Sequence, residues 1–531
     1  PRFKVDFESL KETLGDYVEN SEERYAFTWT GKATARKVAQ KQTAATLRPS
    51  RDKSIKWDSS RNVFVEGEAL EVLKTLQKSY HRSVRLVFVD PPYNKGSDRF
   101  FPGQHKDSLE TYLSLYSGDE SARVTLAENS STGGQFHSRW LSAMYPRLVL
   151  GRHLLANDGY CVVCIDDNEL HNLRMLMDLV YGEENRLATV AVDRTRKNDA
   201  HYFSVGHEYL LVYAKSKSFL RSSGVRLRAT KHGVAELHEL FVALRKEHKD
   251  NWVKIKASLS EYFEQIDDDD PRAPLKRFTK VDEHGPHRTD GDISWPGGGG
   301  PRYDVPHPVT KRPCKVPSRG WVWPSYERMK EEIDAGNVVF GDDETTIPSR
   351  RRNLFDADEQ VMGTVAYSYS QTAVQDLASQ FGGVQLYEHP KDPKFLQRFV
   401  EYLTAPGDIV LDMYSRIGSL PHAVLLANQD ATSPRRFISI QEPEGFDLSR
   451  PAGKNAEQYC IDNGLPRNMA ALARRRLQLA GESLRPDEHG TQDIGFRTFR
   501  LDSSNIAAWN PTSSSETDEL LLQAENVLSD R

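Results

Sequence analysis

Residues 84–89 read VRLVFV, an apolar run interrupted only by Arg85, and the run stops at Asp90-Pro91-Pro92-Tyr93-Asn94. A short run of this kind predicts a buried strand. Two consecutive prolines remove two backbone donors, so the ladder cannot continue past Asp90. The same grammar recurs along the chain. VFVEG (63–67) is a strand before the helix-patterned ALEVLKTLQKSY (69–80). GYCVVCIDDNE (159–169) is a strand with an acidic turn, and HNLRMLMDLVYG (171–182) is a helix ending at Gly182. After residue 390 the pattern returns. FLQRFVEYL (395–403) is helical, and PGDIVLDMYSRIGS (406–419) is a strand followed by a small-residue turn. HAVLLAN (422–428) is a helix and RFISIQEPE (436–444) the next strand. Strands alternating with helices predict a doubly wound, largely parallel α/β sheet.

Chemistry follows from what stands at the strand ends. Asp90 can accept a hydrogen bond from an amino group. Pro91 and Pro92 fix the backbone so that its carbonyls are aimed at a ligand. Tyr93 offers a flat face on which a base can stack. Together they suit a planar amine that must be held and made nucleophilic, such as the exocyclic amine of adenine. A bland Pro-Pro turn after a strand is the competing reading. The second strand, ending at Asp412 and followed by a Gly/Ser turn and a helix, is how nucleotide-like cofactors are gripped, with the next strand's acidic end reaching a ribose diol.

Size and composition set the outer bounds. A chain of 531 residues predicts two to four domains. Its 38% hydrophobic and 28% charged residues fit a soluble protein, and no apolar stretch approaches the length of a membrane span. The start, PRFKVDFESL, carries no signal-like apolar region, and four cysteines suit a reducing cytosol, so a cytoplasmic location is expected. Cys161 and Cys164 are three apart on a strand and face opposite sides, so no zinc site, and no other metal, is expected. The net charge of −5 hides basic clusters: residues 31–56, then Arg194, Arg196 and Lys197, then 350–352. Each is most simply a solvated face, yet phosphate contacts require local basic surface of this kind.

Residues 218–388 break the strand–helix alternation with a charged helical stretch (235–265), an Asp run (267–270) and a Gly run (297–300). The chain therefore divides into a basic, partly helical N-terminal extension (1–60), a first half of the sheet domain (61–217), an inserted domain (218–388), a second half of the sheet domain (389–480) and a C-terminal tail (481–531). A polar stretch over 95–135 is expected to contain a mobile loop. Among tempting residues, Trp321 and Trp323 read as packing residues and His207-Glu208 as a structural hydrogen bond. His137 and Trp140, near the loop, could touch DNA, with helix–sheet packing equally open for Trp140.

Order and spacing join these signals. YAFTWTGKA (25–33), NVFVEGEALEVLKTLQKSY (62–80), LVFVDPPYNKGSD (86–98), IDDNELHNLR (165–174), HYFSVGHEYLLVYAKS (201–216), HPKDPKFLQRFV (389–400), DIVLDMYSRIGSLPHAVL (408–425) and DIGFRTFRLDSSNIAAW (493–509) follow one another along the chain. In this order it resembles the amino-methylating DNA methyltransferases whose DPPY tetrapeptide precedes the cofactor turn, and more closely the modification (Mod) subunits of type III restriction–modification systems. The resemblance implies S-adenosylmethionine as methyl donor and adenine N6 in double-stranded DNA as acceptor, with the target base flipped out. It implies a catalytic group of Asp90, Pro91, Pro92 and Tyr93. Glu68, Asp412, Tyr414, Ser415, Gly418, Ser419 and Glu442 (Glu444 as second choice) would bind the donor. Asn94, Lys95, Arg194, Arg196 and Lys197 would contact DNA, and 218–388 would recognise the target. A homodimer and a helicase–nuclease restriction or defence partner are also implied.

The chain departs from the family pattern. The family turn reads acidic-x-aromatic-small-Gly-x-Gly, and here Arg416 replaces its first glycine. Glu68 stands where Asp is common, and Asp392 interrupts a Pro-Lys-Pro pattern. Arg416 leaves a second expectation open, that of a DNA-recognition subunit with weakened or lost methyl transfer. RNA methylation on the same fold is a third.

Overall fold

The computed structural model describes residues 26–95, 133–195, 201–231, 233–267, 270, 272–357, 359–429, 433–484 and 492–504. The 95–135 stretch expected to hold a loop falls almost wholly outside them, as do Arg196 and Lys197. The chain forms two compact units, 1–226 with 363–531, and 227–362.

The strands of the first unit are β1 (Ala45–Pro49), β2 (Val63–Glu66), β3 (Val84–Val89), β4 (Leu155–Ile165), β5 (Arg186–Asp193) and β6 (His207–Ala214). Those of the second are β7 (Ala229–Thr230), β8 (Lys280–Asp282), β9 (Gly285–Gly291), β10 (Val338–Val339), β11 (Ser349–Asn353) and β12 (Glu359–Gln360). The first unit then resumes with β13 (Val365–Tyr367), β14 (Ile409–Asp412), β15 (Arg436–Gln441) and β16 (Arg497–Ser503).

Ten strands form one sheet in the order β1-β16-β2-β15-β14-β3-β4-β6-β5-β13. The run from β16 to β4 is parallel; β1 and β6 join it antiparallel. Buried on both sides, the central strands carry no polar face, which is why β3 and β4 read as apolar runs. Val87, Val89, Cys161 and Val163 point into a core shared with the helices Ala69–Tyr80, Gly133–Leu154 and Leu170–Tyr181. The helices Pro393–Leu403 and Ser419–Ala427 pack against β3, β14 and β15 as well. Cys161 belongs to that first core and Cys164 does not, as the strand period requires. Both thiols are buried and free.

Three findings go beyond the sequence reading. The helix over 133–154 runs straight into β4, so that strand begins at Leu155 rather than at 159. β1, in the basic extension, pairs with β16, in the supposed tail, and β16 pairs with β2. Both segments are thus built into the sheet. Residues 363–388 lie with the first unit, where β13 pairs with β5, so the second unit (227–362) is narrower than the interval 218–388.

The second unit has cores of its own. Val234–His248 and Trp252–Glu264 pack around Leu237, Phe241, Ile255 and Leu259. Trp321 and Trp323 are buried beside Met329, and the Trp321 indole donates to the Tyr303 carbonyl. They are packing residues, as expected. Among the described residues, no helix is long and apolar enough to cross a membrane.

Candidate active site

Strands β3 and β14 are adjacent and parallel, with Asp412 opposite Phe88. From β3 the chain continues to β4 on one side; from β14 it continues to β15 on the other. A reversal of this kind opens a crevice at the carboxyl ends of the strands. Asp90 and Asp412 stand at its mouth. The Met413 amide donates to the Phe88 carbonyl and the Ser415 amide to the Ile440 carbonyl, which pins the turn across three strands.

The tetrapeptide is held from several directions. The Tyr93 hydroxyl lies 3.1 Å from both Asp90 Oδ1 and Glu208 Oε2 and accepts from Lys391 Nζ at 2.7 Å. Lys391 Nζ also donates to Glu208 at 2.6 Å and stands 3.6 Å from Asp90 Oδ1. Behind them Arg194 donates to the Pro390 carbonyl and Ser368 and pairs with Glu208 at 3.5 Å. The Trp140 indole donates to the Pro92 carbonyl at 2.9 Å. Asn94, in the left-handed region at φ +61°, donates to the buried Glu169, which also meets His137 Nδ1.

Burial alone would neutralise these charges, but their partners reverse it. Desolvation pushes Lys391 down, and Asp90 and Glu208 more than restore it, so its pKa is raised. Desolvation pushes Glu208 up, and Lys391 and Arg194 bring it below the ordinary carboxylate value. Asp412 shifts the other way: burial, with Asp90 nearby, pushes it up to about 8, although Ser415, the Tyr414 amide and Arg416 all oppose the rise. Burial, Glu68 and Glu444 push Glu442 up to about 7. Glu68 caps the helix Ala69–Tyr80, accepting from the Leu70 and Glu71 amides, and pairs with Arg147.

Gly418 takes φ +79° ahead of the helix Ser419–Ala427. Arg416 also lies in the left-handed region, at φ +50°. Its Nε donates to the Asp90 carbonyl at 3.2 Å and stands 3.9 Å from Asp90 Oδ2. Tyr387, His389, Lys391, Asp412, Ser415 and Arg416 surround what is left of the crevice, room for about one water molecule.

The structure therefore brings together Asp90, Tyr93, Asp412, Tyr414, Ser415 and Ser419, with Glu68 and Glu442 electrostatically coupled to each other. Arg194, expected to contact DNA, is buried and engaged with Glu208, Ser368 and Pro390, where its guanidinium braces the site. Lys95 is half-exposed, paired with Asp166 at 2.9 Å, its ammonium 5.4 Å from the Tyr93 ring centroid. Three further residues belong to the site. The sequence offers Glu208 as a structural hydrogen bond and Trp140 as a DNA contact or a packing residue, and it gives Lys391 no role. The sequence does put an acid beside a strand and a lysine between prolines, but nothing local shows that they meet. Among the described residues, no His, Cys, Asp or Glu group could hold a metal.

A family model described as DNA methylase matches residues 84–446, most of the chain and both strands that form the crevice. The chain belongs to the DNA methylase family. Among similar proteins is the Mod subunit of the type III restriction-modification enzyme EcoP15I of Escherichia coli. It is 27% identical over 492 residues, 91% of this methylase and 72% of that subunit. The StyLTI Mod subunit of Salmonella typhimurium is 28% identical over 490 residues, 90% of this chain and 66% of its own. The EcoPI Mod subunit of Escherichia phage P1 is 26% identical over 505 residues, 91% and 72% respectively.

Proposed function

We propose that this methylase transfers a methyl group from S-adenosylmethionine to N6 of an adenine in double-stranded DNA, as the modification and recognition subunit of a type III-like restriction or phage-defence system. The observation that carries the reading is the DPPY group fixed at the end of β3, one strand from the Asp412 turn. Asp90 and the Pro91 carbonyl accept the two N6 hydrogens, which leaves the nitrogen lone pair free. Tyr93 stacks the base, which has left the duplex. Lys391 and Glu208 lock Tyr93 and Asp90 in position, and that positioning supplies rate without a proton being removed first.

The crevice has the makings of a donor site. The Tyr414 hydroxyl is buried without a hydrogen-bond partner, and Glu442 is the acid at the end of β15. As it stands, though, the space does not fit a molecule of the donor's size, because Arg416 lies across it.

The second unit is the target-recognition domain in this reading. Arg245, Lys246, His238 and His284 line an open hollow on it together with Glu283, and its two fixed cations are of the kind that meet phosphates. The protein acts as a homodimer and recruits a helicase–nuclease subunit, as its likeness to Mod subunits suggests. Light scattering tests the first claim, with a monomer mass on DNA against it; affinity capture from the native host tests the second.

The reading as a whole is tested by incubating protein, labelled donor and duplex DNA, then digesting the DNA to nucleosides. Label in N6-methyl-2′-deoxyadenosine is expected. Label in N4-methyl-2′-deoxycytidine, or transfer to RNA in preference to duplex, contradicts it. A second reading, recognition with weakened transfer, is favoured by one observation, the seat of Arg416.

A further inference from the structure

Glu169 is fully buried at the start of the helix Leu170–Tyr181, yet its carboxyl group accepts from none of that helix's first amides. An acidic residue in this place ordinarily caps its own helix. Here the side chain is turned to other donors. Oε1 accepts from the Asn94 side-chain amide and meets His137 Nδ1, and Oε2 accepts from the Asn172 side-chain amide at 2.8 Å. Burying a carboxyl group is costly unless donors meet it, and three side chains do. Two of them belong to the walls of the tetrapeptide. Asn94 follows Tyr93 directly, and at φ +61° its backbone sits where few residues other than glycine settle. His137 lies three residues before Trp140, on the same face of the helix Gly133–Leu154, and the Trp140 indole donates to the Pro92 carbonyl at 2.9 Å. The peptide on either side of Tyr93 is therefore tied down, Pro92 by Trp140 and Asn94 by Glu169. Glu208 and Lys391 hold the hydroxyl end of the ring separately. A ring fixed at both ends keeps the one plane it offers to a base.

We propose that Glu169 is a positioning residue for capture of the target base. It acts through Asn94, fixing the backbone from which Tyr93 presents its ring. This rests on the methyl-transfer reading and adds to it a residue outside both the tetrapeptide and the cofactor turn.

A double-variant cycle on the full chain tests it. The readout is the single-turnover rate of methyl transfer from labelled S-adenosylmethionine to unmethylated genomic DNA, both saturating. Glu169→Met keeps the volume and removes the acceptor. It is expected to slow transfer about tenfold or more, the order of losing a base–aromatic stack, with DNA affinity within a few-fold. Asn94→Gly suits the left-handed backbone and gives Glu169 nothing to hold, so it should slow transfer to a similar degree. Adding Glu169→Met to Asn94→Gly, or to Tyr93→Ala, should cost no more than about a further twofold. Glu169→Gln keeps an acceptor for Asn94 and should recover most of the rate. A full rate in Glu169→Met or in Asn94→Gly overturns the positioning role, and so do independent, multiplying losses in the double variants; the methyl-transfer reading stands in each case. If wild type transfers no label to duplex DNA, both fall.

Discussion

Lys391 shows how one buried side chain organises this site. It touches Tyr93, Glu208 and Asp90, the last of them the proposed acceptor of the target amine. Lys391→Met leaves Glu208 with Arg194 as its cation and the Tyr93 hydroxyl as a neutral partner, and breaking a buried pair costs about 3–5 kcal/mol. Chemical denaturation is expected to show a loss of that order, largely recovered in Lys391→Met/Glu208→Gln. An equal loss in the double variant would mean that the two residues do not act as a pair. Asp412 makes a pH prediction. Its folded pKa, about 8, lies above its ordinary value of 3.8. Its contribution to stability is therefore fully present below about pH 4 and is lost as pH rises through about 8. Asp412→Asn should flatten the fall in melting temperature between those limits. An identical slope in the variant would remove Asp412 as its source.

At the scale of elements, the decisive feature is the neighbouring pair β3 and β14, which brings residues 90 and 412 to one crevice. Most of that pair was legible, because central parallel strands are apolar throughout and their ends carry the motifs. β1 and β16 were not. ATLRP and RTFRLDS have little apolar pattern, since β1 is an edge strand with mixed burial and β16 is only partly buried. Their pairing spans most of the sequence, a distance over which local signals say nothing. The Glu208–Lys391 meeting was hidden for the same reason. The position of β16 between β1 and β2 has a consequence: truncation before Arg497 should expose β2 and lower the melting temperature by a few degrees. A truncated chain with wild-type melting would contradict the assigned order.

Across the whole molecule, the sheet unit and the 227–362 unit each have their own core, so the two properties they are proposed to carry should separate. Replacing 227–362 by a flexible linker should leave the sheet folded by circular dichroism while abolishing sequence-selective methylation. Retention of the original target site by a chimera carrying a relative's unit would assign recognition elsewhere. Asp90 is the residue that decides the active site, and one paired measurement tests it: methyl transfer and DNA affinity of wild type and Asp90→Ala, at saturating S-adenosylmethionine. The expected result is transfer reduced at least about a thousandfold, with DNA affinity within a few-fold because phosphate contacts dominate it. Near-normal methylation by Asp90→Ala would contradict the assignment of the active site.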